Sequence, residues 1–189
     1  MKQVPGRLRI IGGEWRSRRI PFADFAGVRP TPDRVRETVF NWLQGTIAGA
    51  RCLDLFAGSG AFGFEARSRG AAEVVLVDQD LRVIQMLQRN IDQLQAAHME
   101  PVWTDAIDYL LRGKQQVFDI VFLDPPYRDD LNLWFQRLVN SGIVVATAPV
   151  YLEAACHYKL QLPQGWCLSH SKTTGQVGYH LAIRETAGR

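Results

Sequence analysis

The residues most able to do chemistry stand at the end of an apolar run. In "FDIVFLDPPYRDD" (118–130) a run that reads as a buried strand stops at Asp124-Pro125-Pro126-Tyr127. Proline fixes its own backbone angle, gives up its amide and pushes the preceding residue to extended geometry, so two in a row make a stiff, non-helical ledge. The Asp124 carboxylate and the Pro125 carbonyl are acceptors that could each take one N–H of an exocyclic amine on an aromatic base. The nitrogen lone pair, otherwise delocalised into the ring, would then be aimed at an electrophile, with a preplaced negative charge facing the positive charge that develops. Tyr127 offers a face on which the base could stack, for about 1–3 kcal/mol. The prolines keep these groups preorganised.

A second constellation supplies a place for the electrophile. "DLFAGSGAFG" (54–63) carries Gly58-x-Gly60-x-x-Gly63 between a strand and a helix, and Asp78 follows twenty residues beyond Gly58 at the end of the next strand. That spacing satisfies the dinucleotide fingerprint, in which glycines let the backbone approach the ligand and the acid meets the ribose hydroxyls. Asp54, four residues before the first glycine, argues against a pyrophosphate. A carboxylate there suits a ligand bearing an ammonium and a sulfonium, so S-adenosylmethionine is the expected cofactor rather than NAD. Chain length agrees, since a dehydrogenase needs a substrate domain and little remains after five βα units. Asp105, ending a third strand, adds an acceptor at the same edge for an adenine amino group. The expected cofactor set is Asp54, Phe56, Ala57, Gly58, Ser59, Gly60, Asp78, Gln79, Asp105 and Ala106. Asp78 and Asp105 could instead serve only as helix N-caps.

The elements that must position these groups alternate. Residues 51–57, 73–78, 101–105, 118–124 and 150–154 read as short apolar strands, and 61–69, 80–95, 106–112 and 130–140 as helices. Continuous apolar strands imply a parallel sheet covered on both faces, hence a doubly wound α/β fold. Two strands joined by the polar turn 172–176 add an antiparallel hairpin at the sheet edge, for seven strands in all. Upstream, 8–20 reads as a hairpin around Gly12-Gly13 that precedes the core, and Thr31-Pro32-Asp33 as the capped start of a helix reaching Gly45. The chain therefore divides into a basic arm, 1–30, and a transferase-sized body, 31–189.

Charge separates the same two parts. The 189 residues carry a net +3, but residues 1–36 hold nine basic against three acidic residues, a net +6 that leaves −3 for the rest. Clustered arginines neutralise phosphates, and Arg7, Arg9, Arg16, Arg18 and Arg19 are the expected contacts to a nucleic acid. Arg34 and Arg36 are expected on the solvent face of their helix. The three cysteines and four histidines show no zinc-like spacing, so no metal is expected. No apolar run is long enough for a membrane span and no secretory signal is visible, and the cysteines, without CxxC pairing, read as reduced thiols in the cytoplasm.

The combination of "DLFAGSGAFGFEA", "DPPY" and "GGEWRSRRIPF…GVRPTPDRVRETVFNWL" resembles the bacterial family of small-subunit (16S) ribosomal RNA guanine-N2 methyltransferases, from about Arg9 to Ile183. The resemblance implies a Rossmann-like class I methyltransferase fold with S-adenosylmethionine held by Asp54, Gly58, Gly60, Asp78 and Asp105. It also implies a guanine gripped by Asp124, Pro125, Pro126 and Tyr127. The substrate it implies is RNA in the assembled or assembling small subunit. The chain is expected to act as a monomer. Two other readings share the motifs: an adenine-N6 or cytosine-N4 methyltransferase acting on DNA or RNA, and a nucleic-acid-binding module that keeps the fold without turnover.

Overall fold

The computed structural model describes residues 6–22, 30–113 and 116–185. Its centre is a seven-stranded sheet in which β3 (Arg51–Asp54), β4 (Glu73–Asp78), β5 (Met99–Trp103), β6 (Ile120–Leu123) and β7 (Val150–Ala155) run parallel. The hairpin of β8 (Trp166–Thr174) and β9 (Val177–Arg184) joins antiparallel through β9, giving the order β5-β4-β3-β6-β7-β9-β8. The doubly wound expectation holds, and the order reverses between β3 and β6, where such sheets bind ligands. The turn between β8 and β9 is shorter than the polar stretch 172–176, because Lys172, Thr173 and Thr174 pair with β9 instead.

Helices α2 (Ala61–Ser68), α3 (Leu81–Leu94), α4 (Ala106–Leu111) and α5 (Leu131–Ser141) link the parallel strands. The side chains of Asp80, Asp105 and Asp130 accept backbone N–H groups at the starts of α3, α4 and α5. Such caps satisfy the orphan donors of a first turn and fix where each helix leaves the strand edge. Every residue of β6 is buried, consistent with a strand covered on both faces.

Three expectations about the N-terminal region need correction. Strands β1 (Gly6–Arg9) and β2 (Arg19–Phe22) do pair antiparallel, but the connection is the nine-residue loop 10–18 rather than a turn at Gly12-Gly13. Nor does the hairpin stand apart from the core. Leu8, Ile10, Trp15, Ile20 and Phe22 are buried in the same cluster as Val39, Phe40 and Phe62. The loop is fastened to α2: Ile11 N–H and Gly12 N–H each donate to Glu65 at 2.8 Å, and Trp15 N–H donates to Ser68 Oγ at 2.9 Å. Glycine is required at position 13, where φ is +76° and a Cβ would sit 1.8 Å from the Ser68 carbonyl oxygen.

Arg36 is the second correction, because on α1 (Asp33–Trp42) its side chain is fully buried. It donates to Arg9 O at 2.8 Å, to Asp33 at 2.7 Å and to Glu65 at 3.3 Å, so a charge read as solvated is the buried link between arm, helix and α2. Arg34 is exposed. Thirdly, Thr31 is not the cap. Pro32 holds that position without a side-chain bond, while Thr31 is buried and its carbonyl accepts from Arg36. Lys2 and residues 23–29, Arg29 among them, lie outside the described residues.

Candidate active site

Four carboxylates gather at the carboxyl edge of the sheet because neighbouring strands end there together. Asp54 closes β3 and Asp78 closes β4, while Asp124 follows β6, which pairs with β3 in the register Asp54↔Phe122. Glu153 lies on β7, two residues beyond Tyr151, which pairs with Phe122. Residue types that repel one another have been placed side by side, which a fold tolerates where a cation is to be received.

The pKa directions reflect this crowding. Burial pushes the Asp54 carboxyl up to about 7, opposed by the Gly63 N–H it accepts at 3.1 Å and reinforced by Asp78. Burial also raises Asp78, against the N–H groups of Asp80 and Gly58 that bond it. Asp124 is held well above the ordinary carboxylate range, by enclosure first and then by the charges of Glu153 and Asp54. Glu153 is raised by burial, partly offset by hydrogen bonds from Tyr151 and Tyr127.

The glycine loop wraps the ends of β3 and β4. Gly58 N–H donates to Asp78 Oδ2 at 3.0 Å and Ala57 N–H to Val77 O at 2.9 Å. Gly60 takes φ +74°, and a Cβ there would meet Leu87 and Phe64 at 2.7 Å, so the loop closes onto its own helix only with glycine. Phe56, half-exposed, meets Trp134 edge to face at 5.0 Å between centroids, while Ala57 and Ser59 are buried. Both Asp78 oxygens accept backbone N–H groups, yet each keeps lone-pair capacity for a hydroxyl.

Farther along the edge, Asp105 accepts Ile107 N–H at 2.8 Å as the cap of α4 and remains exposed, so its second oxygen is open. Buried Ala106 follows it. Exposed Gln79 offers its carbonyl to Trp103 Nε1–H at 3.0 Å. Trp103, 61% exposed beside this rim, was not singled out from the sequence; a large apolar side chain in a strand reads as core.

The ledge departs from the sheet just across the switch point. Pro125 is buried, and Pro126 turns the chain by accepting Asp129 N–H at 2.8 Å. Tyr127 is 61% exposed, its ring turned towards solvent and its hydroxyl donating to Glu153 Oε1 at 3.0 Å. Tyr151, fully buried, donates to Glu153 Oε2 at 2.6 Å. Beneath them lies an aromatic floor in which Phe62 stacks on Phe122 at 4.9 Å and meets Tyr151 at 4.5 Å. Sequence reasoning passed over Glu153, since one acid within an apolar strand reads as an edge or a solvent face.

The edge thus brings the ledge and the ten expected cofactor residues together, whereas the arginines stand on a separate element. Arg7, Arg9 and Arg19 line a cleft of about 300 Å³ between the hairpin and Pro30, Thr31, Pro32 and Asp33. Arg16 and Arg18 are exposed on the loop, while Arg9 is ion-paired with Asp33 at 2.9 Å. The acidic edge fits a cationic ligand, and its buried carboxylates would repel a pyrophosphate.

Comparison with known proteins extends this picture. The family described as conserved hypothetical protein 95 matches residues 8–183. The chain is 44% identical over 185 residues to the ribosomal RNA small subunit methyltransferase D of Escherichia coli (strain K12), covering 97% of this chain and 93% of that protein. Its counterpart of the same name in Haemophilus influenzae is 40% identical over 180 residues, covering 93% of each. A solved structure from Escherichia coli, described as a candidate methyltransferase, is 42% identical with a TM-score of 0.87 over 96% of this chain and 99% of that one.

Proposed function

This chain belongs to the conserved hypothetical protein 95 family, and on that premise we propose that it transfers a methyl group from S-adenosylmethionine to the exocyclic N2 amine of a guanine in small-subunit ribosomal RNA. The observation that carries the reading is the placement of Asp124 and the rigid ledge at the switch point, one strand from Asp54 and the glycine loop. The cofactor, when bound, supplies an electrophilic methyl group. Asp54, Gly58, Gly60, Asp78 and Asp105 hold it, with Phe56, Ala57, Ser59, Gln79 and Ala106 shaping the rim. Asp124 and the Pro125 carbonyl each accept one N–H of the amine and so aim its lone pair. The carboxylate faces the positive charge that develops on nitrogen and is bonded to the proton that must leave, which a raised pKa helps it to take. Tyr127 stacks on the base, and no covalent nucleophile takes part.

Residues 1–30 serve as the RNA-contacting arm and 31–189 as the transferase, a division of labour within one packed unit. Arg7, Arg16, Arg18 and Arg19 make the phosphate contacts, Arg9 less so because Asp33 already engages it. The substrate is the assembled or assembling small subunit in the cytoplasm, met by a single copy of the chain. The test is incubation with isotope-labelled S-adenosylmethionine and small subunits from cells lacking the enzyme, followed by nucleoside mass spectrometry. Label in N2-methylguanosine is the expected result. Label in adenosine or cytidine would replace the target base, and absence of label with cofactor bound would leave a binding module.

A further inference from the structure

Tyr127 presents an unusual combination: a large aromatic ring mostly in solvent whose hydroxyl is nevertheless tied to a buried carboxylate. An exposed tyrosine ordinarily samples several rotamers, and ordering it is a cost that a stacking partner must meet on arrival. Here the ordering is done in advance. Glu153, 6% exposed, accepts Tyr127 Oη–H at 3.0 Å with one oxygen and Tyr151 Oη–H at 2.6 Å with the other. Tyr151 is locked by Phe62 of α2 and by its strand neighbour Phe122 on β6. The carboxylate is therefore a fixed post, and one of its two bonds reaches outward to the ledge.

We propose that Glu153 is a positioning residue of the methyl-transfer site, holding the Tyr127 ring in the orientation in which the target base stacks against it beside Asp124. The inference rests on the reading of the ledge as the base site. A carboxylate suits this task because each of its oxygens can accept a phenol at once. Glutamine offers one acceptor oxygen, which the buried Tyr151 hydroxyl, having no water to turn to, keeps, and towards Tyr127 it can turn only a neutral amide N–H in place of the carboxylate that accepted the phenol. Glu153→Gln thus weakens and reverses the bond to Tyr127 selectively while preserving shape and the inner hydrogen bond. A bond to a charged group that is made before the base arrives lowers the barrier without adding a contact to the substrate, so its loss falls on kcat more than on KM.

The experiment is a double-mutant cycle on small subunits with E153Q, Y127F and the pair, alongside 19F NMR of 3-fluorotyrosine placed at position 127. Each single variant lowers kcat about tenfold with KM little changed, and the double variant is no slower than Y127F alone. Single effects that multiply to about a hundredfold in the pair, or singles at the wild-type rate, overturn the inference. Tyr127→Phe removes the hydroxyl of an exposed ring and leaves the Tyr151–Glu153 bond in place, so it remains informative if Glu153→Gln unfolds. The fluorine resonance needs no substrate: E153Q shifts it if the carboxylate grips the phenol, and an unchanged resonance refutes the grip. A wild-type protein that methylates no nucleoside would sink the functional reading, while the resonance still decides the grip.

Discussion

Asp124 is asked to do what burial makes costly: to be ionised beside Asp54 and Glu153 at the moment an amine nitrogen becomes positive. A carboxylate fixed in place with little water around it acts more strongly on the transition state than a fully solvated one, because little solvent needs to reorganise. Replacing Asp124 by Asn keeps size and one acceptor but removes the charge and the proton acceptor. Turnover should fall about 10²–10³-fold, the range for losing one preorganised electrostatic group. Equilibrium binding of RNA and of S-adenosylhomocysteine, measured on the same samples, should change little, and the ligand-free variant should melt higher since a carboxylate crowded by Glu153 and Asp54 is gone. Retained turnover would remove Asp124 from the chemistry. Asp124 was legible in the sequence because two prolines advertise a rigid ledge after an apolar run. Glu153 was not. Its significance is a partnership across 26 residues of chain, and no local spacing encodes a hydrogen bond between strand and ledge.

Among the elements, the arm shows how a basic segment can serve two ends. Its apolar positions, Leu8, Ile10, Trp15 and Ile20, belong to the core, while Arg7, Arg16, Arg18 and Arg19 face outward. Substituting Arg16, Arg18 and Arg19 together by Gln should weaken RNA binding and lower the slope of log K against log salt by about 2, since each phosphate contact contributes about 0.7 on a single strand. Cofactor affinity, read by calorimetry, should not move; an unchanged salt slope would dismiss the arm as an RNA contact. Glu65→Gln tests the other end. Glu65 accepts from two backbone N–H groups of the arm and pairs with buried Arg36 and with Arg69. Removing its charge leaves Arg36 with Asp33 alone for counter-ion among the described residues and should destabilise the fold by about 3 kcal/mol in urea titrations. The sequence displayed the strands, the glycine loop and the helix periods because each is a local pattern. It hid Arg36, since a basic residue two positions from exposed Arg34 on the same helix reads as solvated until a partner on another element, here Glu65, is brought beneath it.

Across the whole molecule the acidic edge sets stability against binding, and pH is the variable that separates them. Asp54 at about 7, together with raised Asp78, Asp124 and Glu153, binds more protons in the folded state than in the unfolded chain between about pH 4 and 7. The sign follows directly: where the native state holds the extra protons, the free energy of unfolding falls as pH rises, so the ligand-free protein should lose stability from pH 5 to pH 8. His180, lowered by burial, contributes in the opposite direction, but it is one group against four. Asp80 and Asp130, lowered by hydrogen bonds from Arg82 and Tyr158, act only below about pH 4 and lie outside this window. A ligand carrying a sulfonium and an ammonium binds best to the ionised edge, so the gain in unfolding free energy produced by S-adenosylmethionine should grow over the same range. S-adenosylhomocysteine, which lacks the sulfonium charge, should show a smaller growth. Denaturant titrations from pH 5 to 8, free and with each ligand, measure all three curves; stability that rises with pH in the free protein would refute the account. Asp54→Asn should flatten the free curve and shrink the difference between the two ligands together, because the same unsolvated carboxylate both destabilises the empty edge and draws the cation to it.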